Sequence, residues 1–158
     1  MPPLTTRRKV FDLTGEAGIN ADGIPRQDEL LRSEPGERVD LRREPDNEDD
    51  PNAILVLSRR GVPIGHVDKG GAAILAPIID SGRRFEARLH CLRGGLPAYP
   101  NYGARVSIAW DGWRGLAAVP LDESQQAERR RRLRARDAGW IERLADRLSR
   151  LGASTPGV

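Results

Sequence analysis

The chain has few of the residue types that build covalent or metal-held scaffolds. Among its 158 residues are one cysteine, Cys91, and two histidines, His66 and His90. A single cysteine excludes an internal disulfide and is typical of a reducing compartment. Three such side chains are too few for an ordinary four-ligand zinc site. Cys91 lies in a strand-like run, where we expect a buried and unreactive thiol.

Long hydrophobic runs and catalytic motifs are also missing. No apolar stretch approaches the ~18 residues that a membrane-spanning helix needs. The first residues, MPPLTTRRKVFDL, lack the apolar region of a signal peptide. The sequence contains no Walker lysine motif, GxSxG, HExxH or CxxC. We therefore expect a cytoplasmic protein without membrane partners, catalytic residues or cofactors.

Charge is present but unevenly distributed. The net charge is +3, and only two of the 26 basic residues are lysines. The segment 122–150 holds nine arginines and six acids, so the rest of the chain holds 17 of each sign. The main part of the chain is thus not a generally basic surface. Any electrostatic attraction for nucleic acid must come from local patches or from the C-terminal segment.

Short alternating segments separated by turn residues predict a mainly β fold with helices (α+β). Polar and apolar residues alternate over 38–42, 84–92 and 105–110, and the apolar run 53–57 predicts a central strand. The pattern is typical of a small barrel or half-barrel. The other predicted elements are an extended segment over 9–13, a loop over 16–25, a helix over 26–33, a hairpin turn at 59–61, a helix over 69–81 that Pro77 kinks or interrupts, and a loop over 94–103.

The composition changes after Pro120 and predicts a long amphipathic helix. Its apolar positions recur at helical spacing and comprise Leu133, Trp140, Ile141, Leu144, Leu148 and Leu151. We expect this stripe to pack on the barrel, with helix-mediated dimerisation or docking to a partner as alternatives. The predicted division is a disordered 1–8, a folded domain over 9–119, a basic helix over 120–152 and a frayed 153–158.

The most informative segment is 36–67, which reads GERVDLRREPDNEDDPNAILVLSRRGVPIGHV. Strand formation does not explain why Asn47, Asp50, Asn52 and His66 stand at these places. Turn chemistry, in which Asx side chains bond their own backbone, is one interpretation. A binding pocket is the other. The acids Asp46, Glu48, Asp49 and Asp50 also raise a weaker hypothesis of a metal-dependent nuclease. An EF-hand is excluded because proline and leucine occupy its glycine and final ligand positions.

This segment resembles the HIRAN domain family. The family pattern runs as L-x-R-[ED]-P-x-N-x-x-D-x-N-A-I-x-V followed by a hairpin to G-[HY], and this chain has LRREPDNEDDPNAILV followed by IGHV. The resemblance covers about residues 10–113. It implies a modified OB-like β-barrel, found in fork-remodelling SWI/SNF-type ATPases and in small stand-alone bacterial proteins. It also implies capture of the 3′-hydroxyl end of single-stranded DNA.

Carried over residue by residue, the resemblance places Asn47, Asp50 and His66 in the DNA-end pocket. Asp49 stands where eukaryotic members carry an aromatic residue, and Ala17-Gly18 stand where they carry an Arg-Tyr pair. We expect a replacement cation at Arg26-Gln27. Base stacking is expected from the loop tyrosines Tyr99 and Tyr102, unless they only pack on the barrel rim.

The expected function is therefore a nucleoid-associated accessory module without enzymatic activity, in repair, replication-fork or restriction. Its expected partners are single-stranded DNA ends and a helicase, nuclease or restriction enzyme. The run Arg129, Arg130, Arg131 and Arg132 is expected to add non-specific phosphate contacts, with a solvated helix face as the alternative. A protein-interaction adaptor that uses the C-terminal helix is the second hypothesis, and the protein is expected to be a monomer or a helix-mediated dimer.

Overall fold

The computed structural model describes residues 10–110 and 116–152. The predicted disorder of 1–8 and fraying of 153–158 fall outside the described residues. Six strands and three helices are found in the described part of the chain. In chain order they are β1 (Val10–Thr14), α1 (Arg26–Arg32), β2 (Arg38–Arg43), β3 (Ile54–Leu57), β4 (Pro63–Val67), α2 (Lys69–Asp80), β5 (Phe85–Gly94), β6 (Tyr102–Trp110) and α3 (Glu123–Gly152).

The six strands close into an antiparallel barrel with the order β1-β4-β3-β2-β5-β6. Strand β1 closes it by pairing with β4 through Leu13 and Val67 and with β6 through Phe11 and Val106. Strand β3 lies between β2 and β4, as the apolar run predicted. The barrel with its helices confirms the predicted α+β, OB-like fold class and the C-terminal helix.

The interior is filled by the apolar faces that alternation predicted, together with one face of each of the first two helices. Phe11, Ile54, Val106 and Ile108 are fully buried inside the barrel. Helix α1 contributes Leu30 to the same core, and α2 contributes the group Ala72, Leu75, Ala76 and Ile78. The two helices are therefore parts of the core and hold the barrel ends in place.

A β-bulge in β5 corrects the prediction for Cys91. The register of β5 against β6 shifts between Leu89 and Cys91, so that Leu92 pairs with Ala104 and points inward. Leu92 is buried, whereas Cys91 is only partly buried. Its partial burial still raises the pKa of the Cys91 thiol, so the thiolate fraction at neutral pH is small.

Helix α2 is continuous, so the predicted interruption at Pro77 is wrong. The helix runs unbroken from Lys69 to Asp80. The Asp68 side chain caps it by accepting a hydrogen bond of 2.9 Å from the Gly71 N–H. Pro77 lies in the last turn, where its missing N–H removes a single intrahelical hydrogen bond. None of the described helices is long and apolar enough to cross a membrane.

Only the first part of α3 packs on the barrel, which corrects the prediction for its apolar stripe. Leu121, Gln125 and Arg129 are buried at this contact. Gln125 Nε2 donates 3.0 Å hydrogen bonds to the carbonyls of Leu92 and Gly94. Of the predicted stripe, Leu133 is partly buried near Arg129. The other members lie farther along the helix and remain exposed, namely Trp140, Ile141, Leu144, Leu148 and Leu151.

Candidate nucleic-acid interface

The predicted pocket residues come together around one cavity at the end of strands β1 and β4. The cavity has a volume of about 320 Å³, at the lower end of the range for small-ligand sites. Its lining comprises Thr14, Gly15, Asn47, Asp49, Asp50, Ala53, His66, Val67 and Lys69. Asn47, Asp49 and Asp50 reach it from the β2–β3 loop, and His66 reaches it from β4. Lys69, which the sequence reasoning missed, adds a cation from the first residue of α2.

The β2–β3 loop owes its shape to its own Asx side chains. Asn47 Oδ1 accepts hydrogen bonds from the N–H groups of Asp49 and Asp50, at 2.9 and 3.1 Å. Asp50 Oδ1 in turn accepts from the Asn52 N–H at 2.9 Å. Turn chemistry is therefore present. It engages one oxygen of Asp50, and no hydrogen bond from the described residues engages the other, Oδ2.

Arg43 fixes the far side of this loop. Its guanidinium donates to the carbonyls of Ala53 and Pro51, at 2.8 and 2.9 Å. It also pairs with the Asp80 carboxylate of α2, at 2.9 Å from Nε to Oδ1. The arginine of the motif thus joins the loop to a core helix. This holds the Asx residues over the cavity and leaves Arg43 little capacity for a ligand.

Glu44 is a site residue that sequence reasoning did not single out. Its Oε2 lies 3.0 Å from His66 Nε2 and accepts a hydrogen bond of 3.1 Å from Asn47 Nδ2. Burial acts to raise the pKa of Glu44, but hydrogen bonds from His66 and Asn47 and the positive charge of Arg26 hold that pKa below its usual value. An ionised Glu44 therefore orients both His66 and Asn47 at the cavity edge. Its place in the motif between Arg43 and Pro45 was the available signal.

Arg26 is the first residue of α1, and its guanidinium lies against the turn that contains Ala17-Gly18. Its Nε donates to Asn20 Oδ1 at 3.0 Å and its Nη1 donates to the Gly15 carbonyl at 3.1 Å. The guanidinium packs over Gly18, where a Cβ atom would lie 3.6 Å from it. Its Nη2 makes no hydrogen bond to the described residues. Arg26 thus brings a cation to the turn from which the family's Arg-Tyr pair is missing.

Gln27 has a structural role, and this corrects the prediction that it contacts DNA. Its Nε2 donates to the carbonyls of Glu16 and Tyr102, both at 3.0 Å. Its Oε1 accepts from the Tyr102 N–H at 2.7 Å. Both amide hydrogens are therefore used to tie α1 to the start of β6 and to the loop after β1, and neither remains for a ligand.

The two loop tyrosines differ sharply, and the prediction for Tyr102 is wrong. Tyr102 is 2% exposed, and the guanidinium carbons of Arg129 and Arg132 lie 5.5 and 5.9 Å from its ring centroid. Its ring is thus covered by α3 and offers no face to a base. Tyr99 is 73% exposed but does not line the cavity. Base stacking by Tyr99 stays a prediction.

Three of the four arginines in the run 129–132 of α3 bond to other protein groups, so only part of the run is available for the expected phosphate contacts. Arg129 is buried, pairs with Glu34 at 2.7 Å and donates to the Leu30 carbonyl at 3.2 Å. Arg131 and Arg132 both bond to Glu128. These hydrogen bonds lower the pKa of Glu128 to about 2.

Arg130 is the exposed member of the run that makes no hydrogen bond to the described residues. Arg129 and Arg132 therefore stabilise the contact between α3 and the barrel. Phosphate contacts from the run stay a prediction, with Arg130 the best placed to make them.

The described residues offer neither a metal site nor a second cavity that holds the predicted site residues. The described residues include no group of three or more His, Cys, Asp or Glu side chains that could hold a metal ion, so the nuclease hypothesis gains no support. A cavity of about 660 Å³ lies where β2 and β5 separate after Val39. It contains none of the predicted site residues.

Comparison with known proteins decides the family. The model of the HIRAN domain matches residues 17–97, just over half of the chain. The chain belongs to the HIRAN family. The match includes the β2–β3 loop, His66 and Arg26, and thus every cavity residue except Thr14 and Gly15.

Three known proteins are similar to parts of this chain. A SWI/SNF-related matrix-associated actin-dependent regulator of chromatin subfamily A member 3-like 1 of Arabidopsis thaliana is 53% identical over 45 residues, which are 28% of this chain and 5% of that protein. Among solved structures, a Lactobacillus plantarum protein has a TM-score of 0.49 and 19% identity, and the match covers 64% of this chain and 92% of that one. For the HIRAN domain of human HLTF the TM-score is 0.42 and the identity is 22%, and the match covers 75% of this chain and 80% of that one.

Proposed function

We propose that this HIRAN protein is a nucleic-acid-binding accessory module that captures the 3′-hydroxyl end of single-stranded DNA in the cavity of the β2–β3 loop. The observation that carries the proposal is the convergence of Asn47, Asp50 and His66 on that cavity. Family membership supports the nucleic-acid partner. The protein acts without catalysis, in repair, at replication forks or in restriction, alongside a helicase, nuclease or restriction enzyme.

Asp50 gives the proposed site its preference for a free end. An ionised carboxylate accepts hydrogen bonds but cannot donate one. Its Oδ1 is used by the loop, which leaves Oδ2 to accept from a terminal hydroxyl. A 3′-phosphate or a continuing phosphodiester would bring negative charge against this oxygen and against Asp49. The acidic side of the cavity therefore favours a hydroxyl over a phosphate.

Cations at the same cavity would hold the phosphate of the preceding nucleotide. Lys69 lines the cavity, and Arg26 lies against Gly15, which also lines it. His66 is oriented by Glu44 and adds a donor when it is protonated. Acids toward the terminal hydroxyl and cations toward the penultimate phosphate give the strand one direction of entry.

The departures from the family pattern predict modest affinity. Ala17-Gly18 and Asp49 replace an Arg-Tyr pair and an aromatic residue. Each lost stacking side chain removes roughly 1–3 kcal/mol. With Tyr102 covered by α3, Tyr99 is the exposed tyrosine that remains in the described chain. We therefore expect weaker binding than in eukaryotic members.

A titration of labelled ten-nucleotide single strands tests the proposal. Strands that end in a 3′-hydroxyl are expected to bind about tenfold tighter than strands that end in a 3′-phosphate, a difference of ~1.4 kcal/mol. A circular strand of equal composition is expected to bind as weakly as the phosphate. Equal affinity for the three strands would contradict end capture.

Variants locate the binding site in the same titration. Arg26→Ala is expected to reduce the salt dependence by one phosphate contact, a slope change of about 0.7 for single strands. Arg59→Ala removes an exposed arginine of the β3–β4 turn, outside the cavity lining, and is the matched control. An equal change for Arg59→Ala would mean that overall charge, and not the cavity, sets the salt dependence.

A protein-interaction adaptor is the second candidate, and the exposed apolar stripe of α3 favours it. Five large apolar side chains beyond residue 139 are 39–71% exposed. Exposed apolar surface of this extent marks contact sites. If no single strand binds in the titration, the barrel acts as a scaffold for the helix and the adaptor function replaces DNA-end capture.

A further inference from the structure

The distal half of α3 projects from the barrel. In the described chain, the last hydrogen bond or ion pair between α3 and the rest of the protein joins Arg136 to Asp28 of α1, at 3.2 Å. In the described chain, hydrogen bonds and ion pairs beyond Arg136 stay within the helix, such as Arg150 with Asp146. The 16 residues 137–152 would extend ~24 Å at about 1.5 Å per residue.

A helix of this length is marginal by itself in water. Its apolar face, the distal stripe, consists of Trp140, Ile141, Leu144, Leu148 and Leu151, all exposed in the single chain. The distal half therefore gains stability when another surface covers the stripe.

The charge of the distal half indicates what kind of surface that is. Residues 137–152 contain three acids and three arginines and are neutral, whereas residues 123–136 contain two acids and six arginines. A helix that binds nucleic acid or an anionic membrane carries a basic polar face. The neutral distal half fits an apolar and uncharged partner face, and it does not repel its own copy.

The spacing of the stripe identifies a second copy of this chain as the partner. Ile141, Leu144, Leu148 and Leu151 are separated by three, four and three residues, a series that is unchanged when the direction is reversed. A two-fold axis beside residue 146 would therefore place Ile141 opposite Leu151 of the other copy. Leu144 and Leu148 would face each other in the same way, as self-complementary dimer interfaces require.

The remaining bulky side chain also fits this arrangement. The same axis places Trp140 opposite Gly152 of the second copy, where the absence of a side chain leaves room for the indole. We propose that the protein forms an antiparallel helix-mediated dimer through the distal stripe of α3. Each barrel then lies at an opposite end of the paired helices.

The size of the contact sets the expected strength. Two copies of the stripe bury on the order of 1,000 Å² together, near the lower limit for specific interfaces. We expect a dissociation constant in the micromolar range. The distal stripe shares no residue with the cavity of the β2–β3 loop, so the dimer stands whether or not DNA binds there.

Sedimentation of the full chain between about 1 and 500 μM tests the dimer. The mass is expected to rise from one to two chains over this range. The variant Leu144→Glu/Leu148→Glu is expected to remain a monomer with an unchanged melting temperature of the barrel. The matched control Ala135→Glu/Ser149→Glu adds the same charge on the outer face and should still dimerise. A wild-type monomer at the highest concentration, or a dimer unaffected by the stripe variant, would overturn the proposal.

Cross-linking tests the orientation. In a Cys91→Ser background, Leu144→Cys and Leu148→Cys are expected to form a disulfide several-fold faster when the two variants are mixed than in either variant alone. Faster linkage of Leu144→Cys with itself would indicate parallel helices and overturn the antiparallel arrangement.

Discussion

The cavity of the β2–β3 loop and the contact between α3 and the barrel use polar side chains for opposite purposes. At the helix contact, Gln125 and Arg129 are buried, and they bond to backbone carbonyls and to Glu34. At the cavity, Asp50 and His66 are partly exposed and keep hydrogen-bonding capacity that the fold does not use. Burial therefore separates polar side chains that stabilise the fold from those available to a ligand. Residue type alone could not have assigned Arg129 to the fold and His66 to the cavity.

Removal of the helix is expected to have the largest effect on stability, and it tests whether the buried residues of the helix contact stabilise the fold. A chain ending at Pro120 loses Leu121, Gln125 and Arg129, and we expect its free energy of unfolding to fall by about 3–5 kcal/mol. A chain ending at Asp137 keeps these contacts and serves as the control. Urea unfolding of both chains measures the difference. Equal stability of the two chains would show that the barrel does not need α3.

A single substitution sharpens the same point. Arg129→Ala removes the Leu30 and Glu34 contacts and the cover of the Tyr102 ring, at a cost of about 2–3 kcal/mol. The exposed neighbour Arg130→Ala is expected to change stability by less than about 0.5 kcal/mol. Thermal and urea unfolding check both values. If Arg130→Ala were the more destabilising change, the helix would pack with another face.

Two substitutions of Asp50 distinguish its support of the loop from its recognition of a ligand. Asp50→Ala removes the acceptor for the Asn52 N–H, and we expect a loss of about 1–2 kcal/mol of stability. Asp50→Asn keeps an acceptor and removes the charge, so stability should remain while the preference for 3′-hydroxyl over 3′-phosphate decreases. Unfolding and strand titrations are measured on the same samples. An unchanged preference in Asp50→Asn would exclude this carboxylate from end recognition.

The smallest expected effect is a dependence on pH that arises at Glu44. Because its pKa is lower in the folded than in the unfolded chain, its contribution to stability is present above the unfolded value of about 4.5. That contribution is lost as the pH falls through the folded pKa. Glu44→Gln should therefore be less stable than the wild type at pH 6, and this difference should shrink as the pH falls below about 4.5. A constant difference between pH 3 and 6 would contradict the interaction with His66.

Alternation and turn residues predicted most of the fold because the core faces are regular. The strands around Val39, Ile54 and Val106 lie where the patterns placed them. The bulge before Cys91 could not be predicted, since it depends on pairing with β6 and leaves no local mark in the sequence. The disruption expected from Pro77 was overestimated, because a proline in the last turn of a helix removes only one intrahelical hydrogen bond.

The candidate site was predicted where the motif is local and missed where tertiary contacts decide. Asn47, Asp50 and His66 lie at fixed spacing around one hairpin, and the structure brings them to one cavity. Tyr102 and Gln27 were interpreted by their chemistry alone, but α3 and the start of β6 bury or saturate them. A buried arginine such as Arg129 has the same sequence signature as an exposed one. Only its distance to Glu34 and Tyr102 reveals its role.

The most direct test of the central claim is an amide chemical-shift map of the protein titrated with a 3′-hydroxyl single strand. We predict that shifts concentrate at residues 44–53, at His66 and at Lys69, with Arg26 and the Gly15 turn next. The buried residues of the helix contact, Leu121, Gln125 and Arg129, should remain unshifted. Shifts concentrated along the arginines of α3, with none around the cavity, would contradict the assignment of the two regions.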